Sequence, residues 1–147
     1  MRGQKLKPNL ISEESMLSPR CIRLLLIEDV DDIQVILQFS LETLSGWQVI
    51  TAKSTQDWLT LAQHKMPDVI LLDESANASD ILTQLKADVL TRQIPLVCLV
   101  SRDRLTDQLQ TRQNGAAAIV GKPFDPIALM QTILKVIESE TEGEMGR

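Results

Sequence analysis

Short apolar runs of strand length alternate along the chain with segments in which apolar residues recur at helical spacing. The runs predict five strands, at residues 22–27, 47–51, 67–73, 94–100 and 116–120. Each strand is followed by a predicted helix, and the apolar stripes of these helices are Ile33, Ile36, Leu37, Leu41 and Leu44; Trp58, Leu61 and Ala62; Ile81, Leu82, Leu85 and Leu90; Leu105 and Leu109; and Ile127, Met130, Ile133, Leu134 and Ile137. Strict alternation of five strands with five helices predicts an α/β fold with a doubly wound parallel sheet.

Turn-forming and capping residues mark the ends of the predicted helices. Ser45-Gly46 and Asn114-Gly115 are typical of helix stops. Ser54 and Asp57 have the spacing of a capping box at the start of the second helix. Asp125-Pro126 predicts an N-cap followed by a proline in the first turn of the last helix.

The periodic pattern is confined to residues 22–139, which we expect to form one domain. Residues 1–21 are predicted to be a flexible N-terminal extension, and the acidic, glycine-containing residues 140–147 a disordered tail. No linker or second patterned region follows the last predicted helix. We therefore expect no output domain, and signalling through docking to another protein.

Composition narrows the class of function. A net charge of -5 argues against a nucleic-acid-binding surface, and no apolar run is long enough to span a membrane. The N-terminus lacks a secretory signal, so we expect a cytoplasmic protein. Cys21 and Cys98 are predicted to be small buried thiols rather than a disulfide framework. The single histidine, His64, falls at the end of the second helix and is predicted to lie on the surface.

Ionisable residues follow three of the five predicted strands. Glu28-Asp29 ends the first strand, Asp73 the third and Lys122 the fifth. The carboxyl ends of parallel strands lie on one edge of the sheet, where open α/β folds bind ligands. We therefore expect these three carboxylates and one ammonium group to meet.

Such a cluster has chemical consequences, because two carboxylates about 4 Å apart repel by about 4 kcal/mol at an effective dielectric constant near 20. The formal charge of -2 suits a divalent cation, and oxygen ligands without histidine or cysteine favour Mg²⁺. Asp73 could then act as a nucleophile that forms an acyl phosphate. Lys122 and the cation would neutralise the phosphoryl oxygens.

The motifs of residues 23–138 together resemble a receiver domain of a two-component response regulator. The features that carry the resemblance are Leu25-Leu26-Ile27-Glu28-Asp29, Pro67-Asp68-Val69-Ile70-Leu71-Leu72-Asp73, Ile94-Pro95, Gly115-Ala116 and Lys122-Pro123-Phe124-Asp125-Pro126. The resemblance implies a flavodoxin-like sheet of order 2-1-3-4-5. It also implies a stand-alone signalling domain rather than an enzyme, with at most slow self-dephosphorylation.

The resemblance also assigns roles to individual residues. Asp73 would be phosphorylated by a histidine kinase or a phosphotransfer protein, and Lys122, before a cis peptide bond at Pro123, would contact the phosphoryl group. The implied Mg²⁺ ligands are Asp29 directly, Glu28 mostly through water, Asp73, and the backbone carbonyl of Ser75. The implied docking surface for an unknown downstream protein spans residues 105–137, and self-association through it is left open.

The chain departs from the family pattern at two strand positions and in the loop after Asp73, where Ala76-Asn77 and an isolated Asp80 stand in place of Met-Pro and a later Asp-Gly. The family places Thr or Ser at the end of the fourth strand and an aromatic residue on the fifth, where this chain has Val100 and Ile119. Valine cannot donate a hydrogen bond to a phosphoryl group, and Ser101 can replace it only if the strand has already ended. We therefore predict that Asp73 accepts phosphate while the usual coupling is absent or rerouted.

Three alternatives remain. A pseudo-receiver, which would use the fold for interaction without phosphorylation, accounts for Val100 and Ile119. A phosphatase with an aspartyl nucleophile typically needs a second aspartate where this chain has Ser75. A flavodoxin is disfavoured because the acidic residues 28–32 would repel a phosphate.

Overall fold

A computed structural model describes residues 21–101 and 115–145 of the chain. Five parallel strands form one sheet in the order β2-β1-β3-β4-β5, which confirms the predicted flavodoxin-like topology. The strands are β1 (Arg23–Ile27), β2 (Gln48–Ala52), β3 (Val69–Asp73), β4 (Leu96–Ser101) and β5 (Ala118–Lys122). The helices are α1 (Asp31–Ser45), α2 (Trp58–Lys65), α3 (Ala78–Ala87) and a C-terminal helix (Pro126–Met145), with a short 3-10 helix at Glu74–Ala76.

Both faces of the sheet are covered, which explains why its strands are apolar at successive positions. On one face Leu25 and Leu72 belong to a core cluster that includes residues of α2 and α3. On the other face Leu26 and Leu71 belong to a cluster that includes residues of α1 and the C-terminal helix. All five residues of β3 are buried, Asp73 included. The most deeply buried strand therefore carries the candidate acceptor.

The helices bury narrower stripes than the sequence pattern predicts. In α1, Leu37 and Leu41 are buried, but the side chains of Ile36 and Leu44 are 62% and 51% exposed. In the C-terminal helix the buried residues are Leu129, Ile133 and Val136, whereas the predicted Ile127 is exposed. The prediction that Ile36, Leu44 and Ile127 face the core is thus wrong, as it is for Ile33, which is also exposed, because a helix lying on a sheet buries only the side chains nearest the strands.

Helix boundaries agree with most of the local signals. Gly46 adopts a left-handed conformation with φ 75° and ends α1. Asp57 caps α2 by accepting a hydrogen bond from the Thr60 amide at 3.1 Å. The capping box predicted for Ser54 is wrong, since the Ser54 amide and hydroxyl donate to the Asp29 carboxylate. Leu90, predicted to extend the third helix, lies beyond its end at Ala87 and is exposed.

The predicted fourth helix around Leu105 and Leu109, like the N-terminal extension 1–20, lies outside the described residues. The C-terminal helix continues to Met145, past the domain boundary predicted at residue 139. Within residues 21–101 and 115–145, none of the helices has the length and apolar character needed to cross a membrane.

Candidate functional site

The register of the sheet brings the predicted ionisable residues to one edge. Ile27 pairs with Leu72, so Glu28, directly after β1, and Asp73, the last residue of β3, lie at the same height on neighbouring strands. Across the other side of β3, Asp73 pairs with Leu99 of β4. Lys122, the last residue of β5, pairs with Ser101 of β4 and so lies one strand further from Asp73. A lysine side chain is long enough to span that distance.

Lys122 and Asp73 form the ion pair at the centre of the site. The Lys122 Nζ lies 3.2 Å from both carboxylate oxygens of Asp73. The Asp73 side chain is 1% exposed and that of Lys122 is 31% exposed. The carboxylate thus lies at the bottom of the site with the ammonium group at its mouth. The peptide bond from Lys122 to Pro123 is cis, as the resemblance implied.

Glu28 is fully buried beside this pair. Burial raises the pKa of the Glu28 carboxyl group to about 7, and the charge of Asp73 and a hydrogen bond to Asp73 add to the rise. The Val30 amide, which donates to Glu28 Oε2 at 3.1 Å, and the charge of Lys122 act in the opposite direction. Two buried carboxyl groups therefore share one partly exposed cation, which leaves the site with excess negative charge.

Asp29 makes contacts that the sequence did not reveal. Its Oδ1 accepts a hydrogen bond from the Ser54 amide and its Oδ2 one from the Ser54 hydroxyl, both at 2.6 Å. Ser54 follows β2, the strand on the far side of β1 from Asp73. The sequence signal at this position was a serine in a predicted loop, and we interpreted Ser54 as part of a helix cap and not as a partner of Asp29.

The expected metal ligands fit a hard cation in chemistry but are not yet gathered around one point. Glu28, Asp29 and Asp73 offer carboxylate oxygens, and the buried carboxyl groups of Glu28 and Asp73 lie beside a single cation, Lys122. Ser75 lies in the 3-10 helix directly after β3, so its carbonyl is near the same edge. Among the residues that the structure describes, however, no three acidic, histidine or cysteine side chains are grouped closely enough to hold a metal ion. The ligand set stays a prediction.

A second unpredicted contact joins the ends of β3 and β4. The Ser101 amide donates a hydrogen bond to Glu74 Oε2, although the two residues are 27 positions apart. Glu74 immediately follows Asp73, so this bond ties the residue beside the candidate acceptor to the last residue of β4. Sequence reasoning passed over Glu74 because an acidic residue in a loop is unremarkable without its partner.

The two positions that depart from the family pattern lie where the sequence placed them. Val100 is buried in β4 and pairs with Gly121, and Ile119 is half-buried in β5 and pairs with Cys98. Ser101 is still part of β4 and pairs with Lys122. The condition under which Ser101 would replace the missing hydroxyl, an earlier end of the strand, is therefore not met.

Sequence comparisons agree with this architecture. Protein PilH of Pseudomonas aeruginosa is 31% identical over 118 residues, which cover 78% of this chain and 97% of PilH. Response regulator PleD of Caulobacter vibrioides is 32% identical over 76% of this chain, and the phosphate regulon regulatory protein PhoB of Escherichia coli 30% identical over 78%. The matched region spans only 25% of PleD and 51% of PhoB.

Solved structures show the same fold. The chemotaxis response regulator CheY4 of Vibrio cholerae matches 80% of this chain with a TM-score of 0.71 at 21% identity, over 99% of its own length. The receiver domain of the sensor histidine kinase PA1611 from Pseudomonas aeruginosa, which carries a magnesium ion in its active-site cleft, matches 81% with a TM-score of 0.71 at 22% identity, over 99% of its own length. The sequence model of the response regulator receiver domain matches residues 24–134. The chain therefore belongs to the response regulator receiver domain family.

Proposed function

We propose that this chain is a phosphoacceptor of a two-component phosphorelay, and that Asp73 is the residue phosphorylated. The observation that carries the proposal is the buried Asp73 carboxylate with the Lys122 ammonium group 3.2 Å from both of its oxygens. A carboxylate next to a fixed cation at the open edge of a sheet can attack a phosphorus atom. The same cation then stabilises the charge that moves onto the phosphoryl oxygens.

The reaction is a transfer between a phosphohistidine and Asp73. A carboxylate oxygen of Asp73 attacks phosphorus, an O–P bond forms as the N–P bond breaks, and the leaving imidazole takes up a proton. Lys122 then contacts the phosphoryl oxygens in the product. We propose that Glu28, Asp29, Asp73 and the Ser75 carbonyl hold Mg²⁺, which when bound neutralises charge on the transferring group.

The phosphodonor is proposed to be a histidine kinase or phosphotransfer protein that docks on α1. Val35, Ile36 and Phe39 lie on one side of this helix and are each more than 60% exposed. Beside them a groove of about 220 Å³ runs between α1 and the segment containing Phe124 and Pro126. The groove includes Phe124, two residues after Lys122, so an apolar surface here suits a partner that must bring its phosphohistidine to the site.

The two free thiols, Cys21 and Cys98, are consistent with a reducing compartment, and we propose a cytoplasmic location. Signalling is proposed to proceed through docking to a downstream protein. The surface expected for that step, residues 105–137, lies partly outside the described residues.

The phosphoacceptor proposal is tested with a small phosphodonor such as acetyl phosphate in the presence of Mg²⁺. Intact mass spectrometry should show one added phosphoryl group, and peptide mapping should locate it at Asp73. Asp73→Asn is the control and should remain unmodified. If the wild-type chain takes up no phosphoryl group, the pseudo-receiver becomes the better description, and Val100 is the observation that favours it.

Docking is tested separately with Ile36→Ser and Phe39→Ser. Both variants should accept phosphate from acetyl phosphate at the wild-type rate, because neither residue contacts Asp73. Transfer from phosphorylated histidine phosphotransfer proteins should fall by at least tenfold. Equal rates from both kinds of donor would show that the α1 surface is not the docking site.

A further inference from the structure

Asp29 is held by both hydrogen-bond donors of a single residue. The amide and the hydroxyl of Ser54 each lie 2.6 Å from a different oxygen of the Asp29 carboxylate. Hydrogen bonds to an ionised carboxylate are short and about twice as strong as those between neutral groups. The Asp29 side chain is therefore firmly attached to the loop between β2 and α2.

That loop follows β2, which lies on the opposite side of β1 from β3 and Asp73. In the sheet order, Ser54 comes after β2 and Asp73 is the last residue of β3, with Asp29 after β1 between them. Glu28 contacts Asp73 through a hydrogen bond, whereas Asp29 bonds to Ser54. This division explains why the three carboxylates do not form a metal-binding group among the described residues.

Two contacts of the residue before Ser54 restrain the loop. The neighbouring Lys53 forms an ion pair of 2.6 Å with Asp31 at the start of α1. Its amide also donates to Gln56 Oε1 at 2.8 Å. Movement of Asp29 towards Asp73 therefore requires its bonds to Ser54 to lengthen or break.

We propose that Ser54 is a positioning residue that competes with the divalent cation for Asp29. A divalent cation bound to Asp29 would replace one or both of its hydrogen bonds to Ser54 with a metal–oxygen bond, so these hydrogen bonds would lower the affinity of the site. The inference rests on the proposed function, since it takes Asp29 to be a metal ligand. It adds that in the metal-free protein Asp29 is hydrogen-bonded to Ser54, and that these bonds would have to lengthen or break for Asp29 to bind the cation.

The test is the Mg²⁺ affinity of Ser54→Ala, measured by isothermal titration calorimetry and by competition with Mn²⁺. The variant loses the hydroxyl donor and keeps the amide donor, so it should bind Mg²⁺ about tenfold more tightly than the wild type. In EDTA the same variant should unfold at a lower urea concentration, because the metal-free state has lost a hydrogen bond. Tighter Mg²⁺ binding together with lower stability in EDTA would indicate competition. A variant with a generally damaged structure would lose both affinity and stability.

Three further variants test whether the effect is specific to the Ser54 hydroxyl. Thr83→Ala removes a hydroxyl that donates to the Ser79 carbonyl at 2.9 Å on the surface of α3, and it should leave Mg²⁺ affinity unchanged. Asp29→Asn should weaken binding in both the wild-type and the Ser54→Ala backgrounds. Ser54→Cys, which retains the size of the side chain but donates weakly, should also bind Mg²⁺ more tightly, and it can be titrated if Ser54→Ala does not fold.

The outcomes separate this inference from the proposed function. Equal or weaker Mg²⁺ binding by the Ser54 variants, with phosphorylation of Asp73 intact, would overturn the competition and leave the phosphoacceptor role standing. Absence of Mg²⁺ binding in wild type and in both Ser54 variants would overturn both the competition and the proposed metal site.

Discussion

Lys122 places its ammonium group 3.2 Å from each carboxylate oxygen of Asp73, with the carboxylate buried and the ammonium group partly exposed. The charge of Asp73 is thereby compensated from the side that faces solvent. A phosphoryl group entering from that side meets the cation before it meets the nucleophile. This arrangement determines the first prediction.

Removal of the Lys122 charge should destabilise the protein. In Lys122→Met the buried Asp73 loses its cation while Glu28 remains beside it, and leaving a buried charge without its partner is costly. Because the lysine is partly exposed, we expect a loss of about 2 kcal/mol in the free energy of unfolding, measured by urea denaturation at pH 8 in EDTA. Lys135→Met, on the exposed side of the C-terminal helix, should change it by less than about 0.5 kcal/mol. Equal effects of the two substitutions would contradict the prediction.

Stability of the metal-free protein should fall as pH rises from about 5 to about 7. The pKa of Glu28 is raised from 4.5 to about 7 by burial, so the folded state binds a proton that the unfolded state has released. The free energy of unfolding therefore decreases with pH across this window and levels off above it. A shift of this size corresponds to roughly 3 kcal/mol.

The measurement is urea unfolding in EDTA at several pH values, with Glu28→Gln as the control. The glutamine has no proton to lose, so the variant should show a smaller decline with pH. Parallel curves for the two proteins would mean that Glu28 does not titrate in this range.

Introduction of a hydroxyl at position 100 should supply part of the coupling that we predict to be absent or rerouted. Val100→Thr has nearly the same shape as the wild-type residue, but it buries a hydroxyl at about 1–2 kcal/mol. On addition of beryllofluoride and Mg²⁺ this hydroxyl gains an acceptor, and we expect larger amide chemical-shift changes in the segment after β4 than in the wild type. Val97→Thr is the matched control, since Val97 is equally buried in β4 but belongs to the core cluster on the opposite face. Identical responses from Val100→Thr and the wild type would show that the hydroxyl is not limiting.

The bond from the Ser101 amide to Glu74 should protect the end of β4. In Glu74→Ala this amide loses its acceptor, so its hydrogen exchange should accelerate by about tenfold or more, as measured by NMR. Glu42→Ala, which removes an acceptor of the Val49 amide at the other side of the sheet, should leave Ser101 unaffected. Unchanged exchange in Glu74→Ala would indicate that other contacts hold this strand end.

The two thiols should differ sharply in reactivity. Cys98 is completely buried in β4, and burial together with the nearby charge of Asp73 raises its pKa to about 12. Cys21 is exposed, so the prediction that both thiols are buried is wrong for this residue, which precedes β1. Because the thiolate is the reactive form, a disulfide reagent at pH 8 should modify one thiol in the native protein and two in urea. Cys21→Ser should show none in the native state. Rapid modification of two thiols in the native protein would mean that the core opens readily around β4.

The sequence alone determined the architecture and the positions of the ionisable residues at its edge. Apolar runs of strand length separated by helical periodicity can form few folds other than a doubly wound sheet, and the topology confirms this. In such a sheet every strand end lies on one edge, so Asp73 and Lys122 could be placed together before any contact was known. Both inferences depend on backbone geometry, which local pattern encodes directly.

Tertiary structure decided what the side chains at that edge do. Asp29 bonds to Ser54 rather than joining Glu28 and Asp73, and Glu74 reaches Ser101. These partners are 25 and 27 residues apart, and a hydrogen bond between side chains depends on rotamers and on the positions of separate loops. Likewise, periodicity identified the apolar residues of α1, but only the contact with the sheet determined which were buried. Which side chains are buried and which hydrogen bonds form depends on the distances between segments far apart in the sequence, and a local sequence pattern does not contain these distances.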